Sequence, residues 1–211
     1  MMVEKKQVKL SELLCSKLCH DLVSPISAIN NGMEFIDEDK SDLNDQAIEL
    51  VKKSSEQASR KLSYYRVSMG AAAPDDIMKY NDVMELIENF VLDKNLSVGW
   101  VLEGYTGPNI NKLIGKVLMN LVLICYDTLT RSGHIEITLS EDITKPNITI
   151  TVSGEICALH KDIKSIFQAE VPEALLTVRN VLAYYCKQLA LDSSKTIELK
   201  EGKNHISFKV I

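Results

Sequence analysis

Residues 18–35, LCHDLVSPISAINNGMEF, combine an apolar repeat with one histidine and one proline. Across residues 9–36, leucine, isoleucine and methionine recur at intervals of three and four, which is the pattern of an amphipathic helix. The polar run DEDKSD at 37–42 ends this pattern. A second series over residues 44–69 has the same period, so the sequence predicts a helical hairpin with a short connection.

The predicted hairpin carries more apolar surface than two helices alone can bury. A second hairpin would complete a four-helix bundle, so the sequence predicts a homodimer. The alternative is that the apolar seam packs on the remainder of the same chain.

Residues 70–76, GAAAPDD, predict a linker, because glycine and proline stop a helix and small residues carry no packing demand. We therefore predict a hairpin domain at 1–72 and a second domain at 73–211. The pattern of the second domain predicts helices at 81–93, 110–129, near 160–167 and at 173–190, with strands at 98–102, 134–140, 147–153, 195–200 and 205–211. This order indicates an α+β domain with helices on one face of a mixed sheet.

Charge and composition argue against several classes of protein. The formal net charge of -5 gives no basic field for nucleic acid. No apolar run is long enough to span a bilayer, and the first residues lack the apolar core of a signal peptide, so we expect a cytoplasmic protein with no membrane partner.

The five cysteines are odd in number and scattered, which predicts reduced and mostly buried thiols. Cys15, Cys19 and His20 lie close in sequence, but no second cluster supplies further ligands, so we predict no metal site.

His20 lies off the apolar seam. With Leu18 at 0° and about 100° per residue, His20 falls at about 200°. Its face is shared by small polar residues, namely Ser16, Ser24, Ser27 and Asn31. This arrangement predicts an imidazole open to another macromolecule, although spacing alone equally allows an ordinary surface histidine. Pro25 removes a backbone donor inside the helix and predicts a kink there.

The segment His20-Asp21-Leu22-Val23-Ser24-Pro25-Ile26 resembles the H-box of sensor histidine kinases. The resemblance implies that His20 accepts the phosphoryl group. It further implies that Asp21 orients or deprotonates the imidazole and that Pro25 provides a bend beside it.

The second domain resembles the Bergerat-type α/β sandwich that binds ATP in those kinases, but its nucleotide-binding residues are missing. Asn120 fits the first asparagine of the N-box, whereas Ile124 replaces the second, which carries Mg²⁺ in the kinases, and isoleucine cannot bind it. Ser153, Glu155 and Cys157 occupy the places of the aspartate-glycine-x-glycine box. Residues 172–181, at the place of the glycine-rich lid, contain no glycine. We expect no ATP binding and no cofactor.

A chain that keeps the H-box but lacks the residues of the ATP site resembles the ChpT-type histidine phosphotransferases of bacterial two-component phosphorelays. The best segments are 18–35 and YYRVSMGAAAPD at 64–75. The resemblance implies a homodimer that takes phosphate from the receiver domain of a hybrid histidine kinase. The resemblance also implies that the homodimer passes the phosphate to receiver domains of response regulators in cell-cycle control, with Mg²⁺ held by each receiver. An exposed imidazole is largely neutral near pH 7, so it can act as the nucleophile without a buried base.

Docking is predicted on the side of the first helix opposite the seam. The expected receiver contacts are Leu13, Ser16, Val23, Ser24, Ser27, Asn30, Asn31 and Tyr64. Tyr65 is expected in the seam, and Arg66 is left open. The other histidines, His134, His160 and His205, are expected to be structural or solvent-facing. Two rival functions remain, a working sensor kinase and a dimerising pseudokinase that only binds partners; a metal-dependent phosphohydrolase is set aside because further ligands are missing.

Overall fold

The computed structural model describes residues 2–36, 41–70, 76–92, 94–130, 132–140 and 145–211. The elements in chain order are α1 (Met2–Glu34), α2 (Ser41–Ser68), β1 (Ile77–Lys79), α3 (Tyr80–Val91), β2 (Asn95–Glu103), β3 (Asn109–Asn111), α4 (Lys112–Thr128), β4 (Ser132–Ser140), β5 (Asn147–Ser153), α5 (Lys161–Gln168), α6 (Val181–Asp192), β6 (Ile197–Gly202) and β7 (His205–Val210). A helical hairpin thus precedes an α/β domain, as predicted.

Helices α1 and α2 pack side by side along the hairpin. Gly32 of α1 is buried where the two helices approach each other closely. A Cβ added there would lie 2.7 Å from Val51 Cγ2 and 3.2 Å from the Ala47 carbonyl oxygen. A larger residue at Gly32 would therefore push the two helices apart.

The α/β domain is built on a five-stranded sheet in the order β2-β4-β5-β7-β6. Strands β2 and β4 are parallel, and the other pairs are antiparallel. Alternate residues of β4, β5 and β7 are buried, so one face of the sheet is covered by helices. The alternation of side chains in the sequence of these strands predicts this arrangement. Strands β1 and β3 form a separate antiparallel pair.

Helix α4 is the centre of the core, because every residue from Ile114 to Tyr126 is buried. It begins after Asn111, whose side-chain oxygen accepts hydrogen bonds from the backbone N–H groups of Leu113 and Ile114. A helix buried on all sides is expected where one face meets a sheet and the other meets further helices.

The α/β domain packs directly on the end of the hairpin. Tyr64 stacks on Phe90 with ring centroids 4.2 Å apart, and its hydroxyl donates to the Met119 carbonyl oxygen at 2.7 Å. The Asn120 side chain donates to the Ser68 carbonyl oxygen at 2.9 Å. These contacts fix α4 against α2. The predicted boundary at 72/73 lies outside the described residues.

The predicted helix at 173–190 is wrong in its first half. The structure has a single 3-10 turn at Glu173–Leu175, and α6 begins only at Val181. Asn180 explains the difference, because its side chain accepts from the Thr177 N–H at 2.8 Å and donates to the Leu175 carbonyl oxygen at 3.2 Å. These bonds occupy backbone groups that a continuous helix would use.

The apolar seam of the hairpin is covered only in part by its own chain. Leu10 and Leu18 of the seam pack against the main apolar core of the chain, so the alternative of packing within the chain holds for this portion. The side chains that stay about half exposed are Val8, Ile26 and Met33 on α1, with Ile48 and Leu62 on α2. We call these five residues the apolar stripe.

Candidate functional site

His20 lies on the outer surface of α1, and its side chain is 80% exposed. The angular prediction is therefore confirmed for this residue. Ser16, Ser24, Ser27 and Asn31, which were predicted to share its face, are also exposed. The imidazole is thus open to an approaching macromolecule.

Asp21 holds one side of the His20 ring. Its Oδ1 lies 3.2 Å from His20 Nδ1. Since a carboxylate only accepts hydrogen bonds, this contact places a hydrogen on Nδ1 and leaves the lone pair of a neutral ring on Nε2. Nε2 is therefore the nitrogen available as a nucleophile.

The Asp21 carboxylate is itself held by two further groups. Lys17 Nζ lies 2.6 Å from Oδ2, and the Tyr65 hydroxyl donates to the same oxygen at 2.9 Å. Lys61 Nζ donates to the Asp21 backbone carbonyl oxygen at 3.1 Å. The Asp21 side chain is only 13% exposed, so these partners replace much of its water.

The network keeps Asp21 ionised. Burial alone would raise the pKa of Asp21, but the hydrogen bond and charge of Lys17, with the hydrogen bonds of His20 and Tyr65, lower the pKa below its ordinary value. The lowered pKa stabilises the fold above the ordinary aspartate pKa. That stability is lost as the pH falls through the lowered value.

Lys17 links the hairpin to the α/β domain. Its Nζ also lies 3.0 Å from Asp127 Oδ2, near the end of α4. Burial alone would lower the pKa of Lys17, but the charges and hydrogen bonds of Asp127 and Asp21 raise it above its ordinary value. The ammonium group is therefore held between two carboxylates.

A groove of about 750 Å³ runs beside His20 between α1 and the α/β domain. Its lining residues are Lys17, His20, Asp127, His160, Asp162, Ile163, Thr177, Val178 and Arg179. On the far wall, Arg179 lies 3.8 Å from Asp162 and 3.3 Å from His160 Nε2. The groove thus presents charged groups of both signs next to an exposed imidazole.

Two expectations about individual side chains are wrong. Tyr64 has no exposed surface, because it stacks on Phe90 and bonds to α4, so it is not available as a receiver contact. The expectation of mostly buried thiols is also wrong, because Cys15 and Cys19 are exposed and Cys157 is half-buried, whereas Cys125 and Cys186 are buried.

The other predicted docking residues differ in accessibility. Val23 is 61% exposed, and Asn30 is exposed. Leu13 is half-buried against the core, which leaves part of its side chain accessible. Pro25 is buried and α1 continues through it, so the bend expected there stays a prediction.

The remaining histidines have local partners. The Ser97 hydroxyl lies 2.7 Å from His134 Nδ1, and His205 is exposed in β7. His160 accepts the Asp162 N–H at the start of α5, but it also lines the groove beside His20, which the sequence did not predict.

The sequence missed three members of the site. Lys17 precedes Asp21 by four residues, and this helical spacing is a signal that could have identified the pair. Tyr65 was expected in the seam, where it is 2% exposed, but its hydroxyl also reaches Asp21. Asp127 had no local signal, because it reaches Lys17 only through domain packing.

Comparison with known proteins identifies the family. A family model described as the histidine phosphotransferase C-terminal domain matches residues 80–205, which is more than half of the chain. The chain belongs to the histidine phosphotransferase family. It is therefore a transferase, and the matched C-terminal domain follows its helical hairpin.

Two relatives extend the similarity of this histidine phosphotransferase to nearly the whole chain. The protein phosphotransferase ChpT of Brucella abortus (strain 2308) is 29% identical over 200 residues, which cover 94% of this chain and 93% of that protein. A solved structure of a bacterial phosphotransferase, 27% identical, superposes with a TM-score of 0.85 and covers 97% of this chain and 96% of its own. The hairpin and the α/β domain are thus shared together.

The places where a kinase would hold nucleotide are occupied differently in this histidine phosphotransferase. The side chain of Ile124 is 2% exposed and belongs to the apolar core. The Asn120 amide donates to the carbonyl oxygens of Ser68 and Lys116, so it serves the contact between domains. These residues do not fit a Mg²⁺-nucleotide complex.

The described residues lack the features of two other classes of site. Within them, no three His, Cys, Asp or Glu side chains are grouped in a way that could hold a metal ion. No helix in the same part of the chain is both long and apolar enough to cross a bilayer.

Proposed function

We propose that this chain relays a phosphoryl group from the receiver domain of a hybrid histidine kinase, through His20, to receiver domains of response regulators. The observation that carries the proposal is an imidazole that is 80% exposed, with Nδ1 held by an ionised carboxylate and Nε2 free. The family resemblance supports a role in cell-cycle control in the cytoplasm.

The chemistry needs no net proton transfer at His20. The Nε2 lone pair attacks the phosphorus of a receiver phosphoaspartate; the P–N bond forms as the P–O bond breaks, and the aspartate leaves as a carboxylate. The ring keeps its Nδ1 hydrogen and becomes cationic, and Asp21 offsets this charge. Attack by an aspartate of the second receiver breaks the P–N bond and returns the neutral ring.

The receiver provides the metal in both steps. The acidic site of the receiver would hold Mg²⁺, which would offset charge on the phosphoryl oxygens. The apolar character of Ile124 supports this division, because the place where the kinases bind Mg²⁺ offers no oxygen ligand here. We further propose that the chain binds no ATP and does not phosphorylate itself.

The test is a comparison of two phosphoryl donors. We expect the purified chain to take label from a phosphorylated receiver domain with Mg²⁺, and to stay unlabelled with radioactive ATP and Mg²⁺. Labelling by ATP would favour a working kinase. No label from any receiver in a panel of hybrid kinases would contradict the relay and favour a pseudokinase that only binds partners.

The receiver docks on the outer face of α1 and over the groove. Exposed small side chains at Ser16, Ser24, Ser27, Asn30 and Asn31 leave space for a helix of the receiver, and Val23 with part of Leu13 offers apolar contact. The charged groove wall behind His20 supplies complementary polar contacts.

Replacing Ser27 with glutamate tests this face. Ser27 follows His20 by seven residues, about 10 Å along the helix, so the added charge meets the docked receiver without touching the imidazole. We expect phosphoryl uptake to slow by at least about tenfold, because an interface disfavours an unmatched charge. Rates with a phosphorylated receiver measure the effect, and Asn89→Glu on α3 is the control. Equal rates for both variants would contradict docking on this face.

A homodimer completes the fold. The apolar stripe leaves five large side chains about half exposed along both hairpin helices. A second copy can cover this surface through two-fold pairing and form a four-helix bundle.

A further inference from the structure

Asp21 serves His20 only while one of its oxygens faces Nδ1. The carboxylate has two oxygens, and Oδ2 is occupied by Lys17 and Tyr65. Oδ1 is thereby directed to His20. The orientation of the reacting ring thus depends on groups that do not touch it.

Tyr65 fixes Oδ2 from the second helix. Tyr65 is 2% exposed, and its ring centroid lies 6.3 Å from the ring centroid of Phe90. Packing therefore fixes the ring, which gives the hydroxyl a defined direction. Burial raises the pKa of Tyr65 well above the ordinary value, and the Asp21 charge adds to this effect, so the hydroxyl keeps the hydrogen that it donates.

Asp127 fixes Lys17 from the α/β domain. The ammonium lies 2.6 Å from Asp21 and 3.0 Å from Asp127, with 13% of the lysine side chain exposed. The position of Asp127 follows from α4, which is fastened to α2 by the bonds of Tyr64 and Asn120 described above. The α/β domain thereby contributes a charge to the site.

Ionisable groups surround Asp21 from three parts of the fold. His20 and Lys17 face it from α1, and Lys61 and Tyr65 face it from α2. From the α/β domain Asp127 acts through Lys17. Burial lowers the pKa of Lys94, and the charges of Asp127, Lys61 and Lys17 also act on it, so Lys94 lies near the same network.

We infer that Tyr65, Lys17 and Asp127 are positioning residues for phosphotransfer, which hold Asp21 so that His20 presents Nε2 to the receiver. The inference rests on the proposed function. It gives the α/β domain a part in the chemistry, because Asp127 of α4 completes the network around the imidazole. Each group acts through Asp21 and touches no reacting atom.

Two variants remove single members of the network with little change in shape. Tyr65→Phe deletes only the hydroxyl, and Asp127→Asn deletes only the charge. We expect uptake from a phosphorylated receiver to fall about fivefold for Tyr65→Phe, since one hydrogen bond to a charged group is lost. For Asp127→Asn we expect a fall of about threefold, because the Asp127 side chain is 41% exposed and water partly screens its charge.

Matched controls lie elsewhere in the α/β domain. Tyr105→Phe also deletes one tyrosine hydroxyl, which donates to the Asn109 carbonyl oxygen at 3.0 Å. Asp192→Asn also deletes one carboxylate at the end of a helix. Both controls are expected to transfer at the wild-type rate.

Two measurements separate positioning from a structural effect. The ¹⁵N chemical shifts of the His20 ring report which nitrogen carries the hydrogen, and we expect the Nδ1–H form to decrease in Tyr65→Phe and Asp127→Asn only. In an Asp21→Asn background the same two substitutions should have no further effect on the rate, because their route to His20 is gone. Asp127→Glu keeps the negative charge, so it should restore most of the phosphoryl uptake rate that Asp127→Asn loses.

The outcomes distinguish this inference from the proposed function. If the wild-type chain takes no label from any receiver, the proposed function fails. If it takes label and both variants match their controls in rate and ring tautomer, the positioning inference is wrong while the relay stands. The positioning inference is also wrong if Tyr65→Phe and Asp127→Asn slow transfer by the same factor in the Asp21→Asn background as in the wild-type chain.

Discussion

Replacing His20 with alanine is expected to abolish phosphoryl uptake, a loss of at least about a thousandfold, because the nucleophile itself is removed. Its side chain is 80% exposed and has no core contacts to lose, so the fold should be unchanged. Labelling by a phosphorylated receiver measures the transfer, and the thermal midpoint of unfolding checks the fold.

Two further variants sharpen this result. Asp21→Asn keeps the nucleophile but loses the ionised partner of Nδ1, so we expect uptake that is about tenfold slower rather than absent. His205→Ala removes another exposed histidine, on β7, and should transfer at the wild-type rate. Label retained by His20→Ala would mean that a different residue accepts the phosphoryl group.

Charges in the apolar stripe are expected to convert the dimer into monomers. Ile26 and Ile48 are 47% and 53% exposed in the single chain, and a two-fold interface would bury each of them in both copies. Each side chain is already about half buried in the single chain, so the double variant Ile26→Glu with Ile48→Glu loses four further burials of about 1 kcal/mol each. The total of about 4 kcal/mol weakens association by about three orders of magnitude.

Light scattering after size exclusion measures this change directly. Ile156→Glu is the control, because Ile156 is 57% exposed but lies far along the chain from the hairpin. It should stay dimeric. A wild-type chain that runs as a monomer, or a double variant that remains dimeric, would contradict pairing of two copies through the apolar stripe.

The sequence predicted α1 and the face of His20 well, because a helical period fixes side-chain directions without knowledge of the rest of the fold. The same reasoning failed for Tyr64. Two neighbouring tyrosines point about 100° apart on a helix, and only Tyr65 was expected inside. Both are buried because α2 meets α1 on one side and the α/β domain on the other.

The network around Asp21 was predictable only where its members are local. His20 adjoins Asp21, and Lys17 lies one turn before it. Tyr65 reaches Asp21 from the second helix, and Asp127 lies 110 residues beyond Lys17. Their positions depend on how α2 and α4 pack, and no short-range pattern encodes that packing. The start of α6 was missed for a related reason, because Asn180 ends the preceding turn through its own side chain.

The exposure of His20 has a consequence for signalling fidelity. An imidazole with four-fifths of its surface in water is not enclosed by a pocket that could admit one donor and reject another. In the proposed relay, discrimination between receivers would then come from the surrounding surface, by attraction and by clashes. The same lone pair and the same carboxylate would serve loading and unloading, so the site would favour neither direction of transfer.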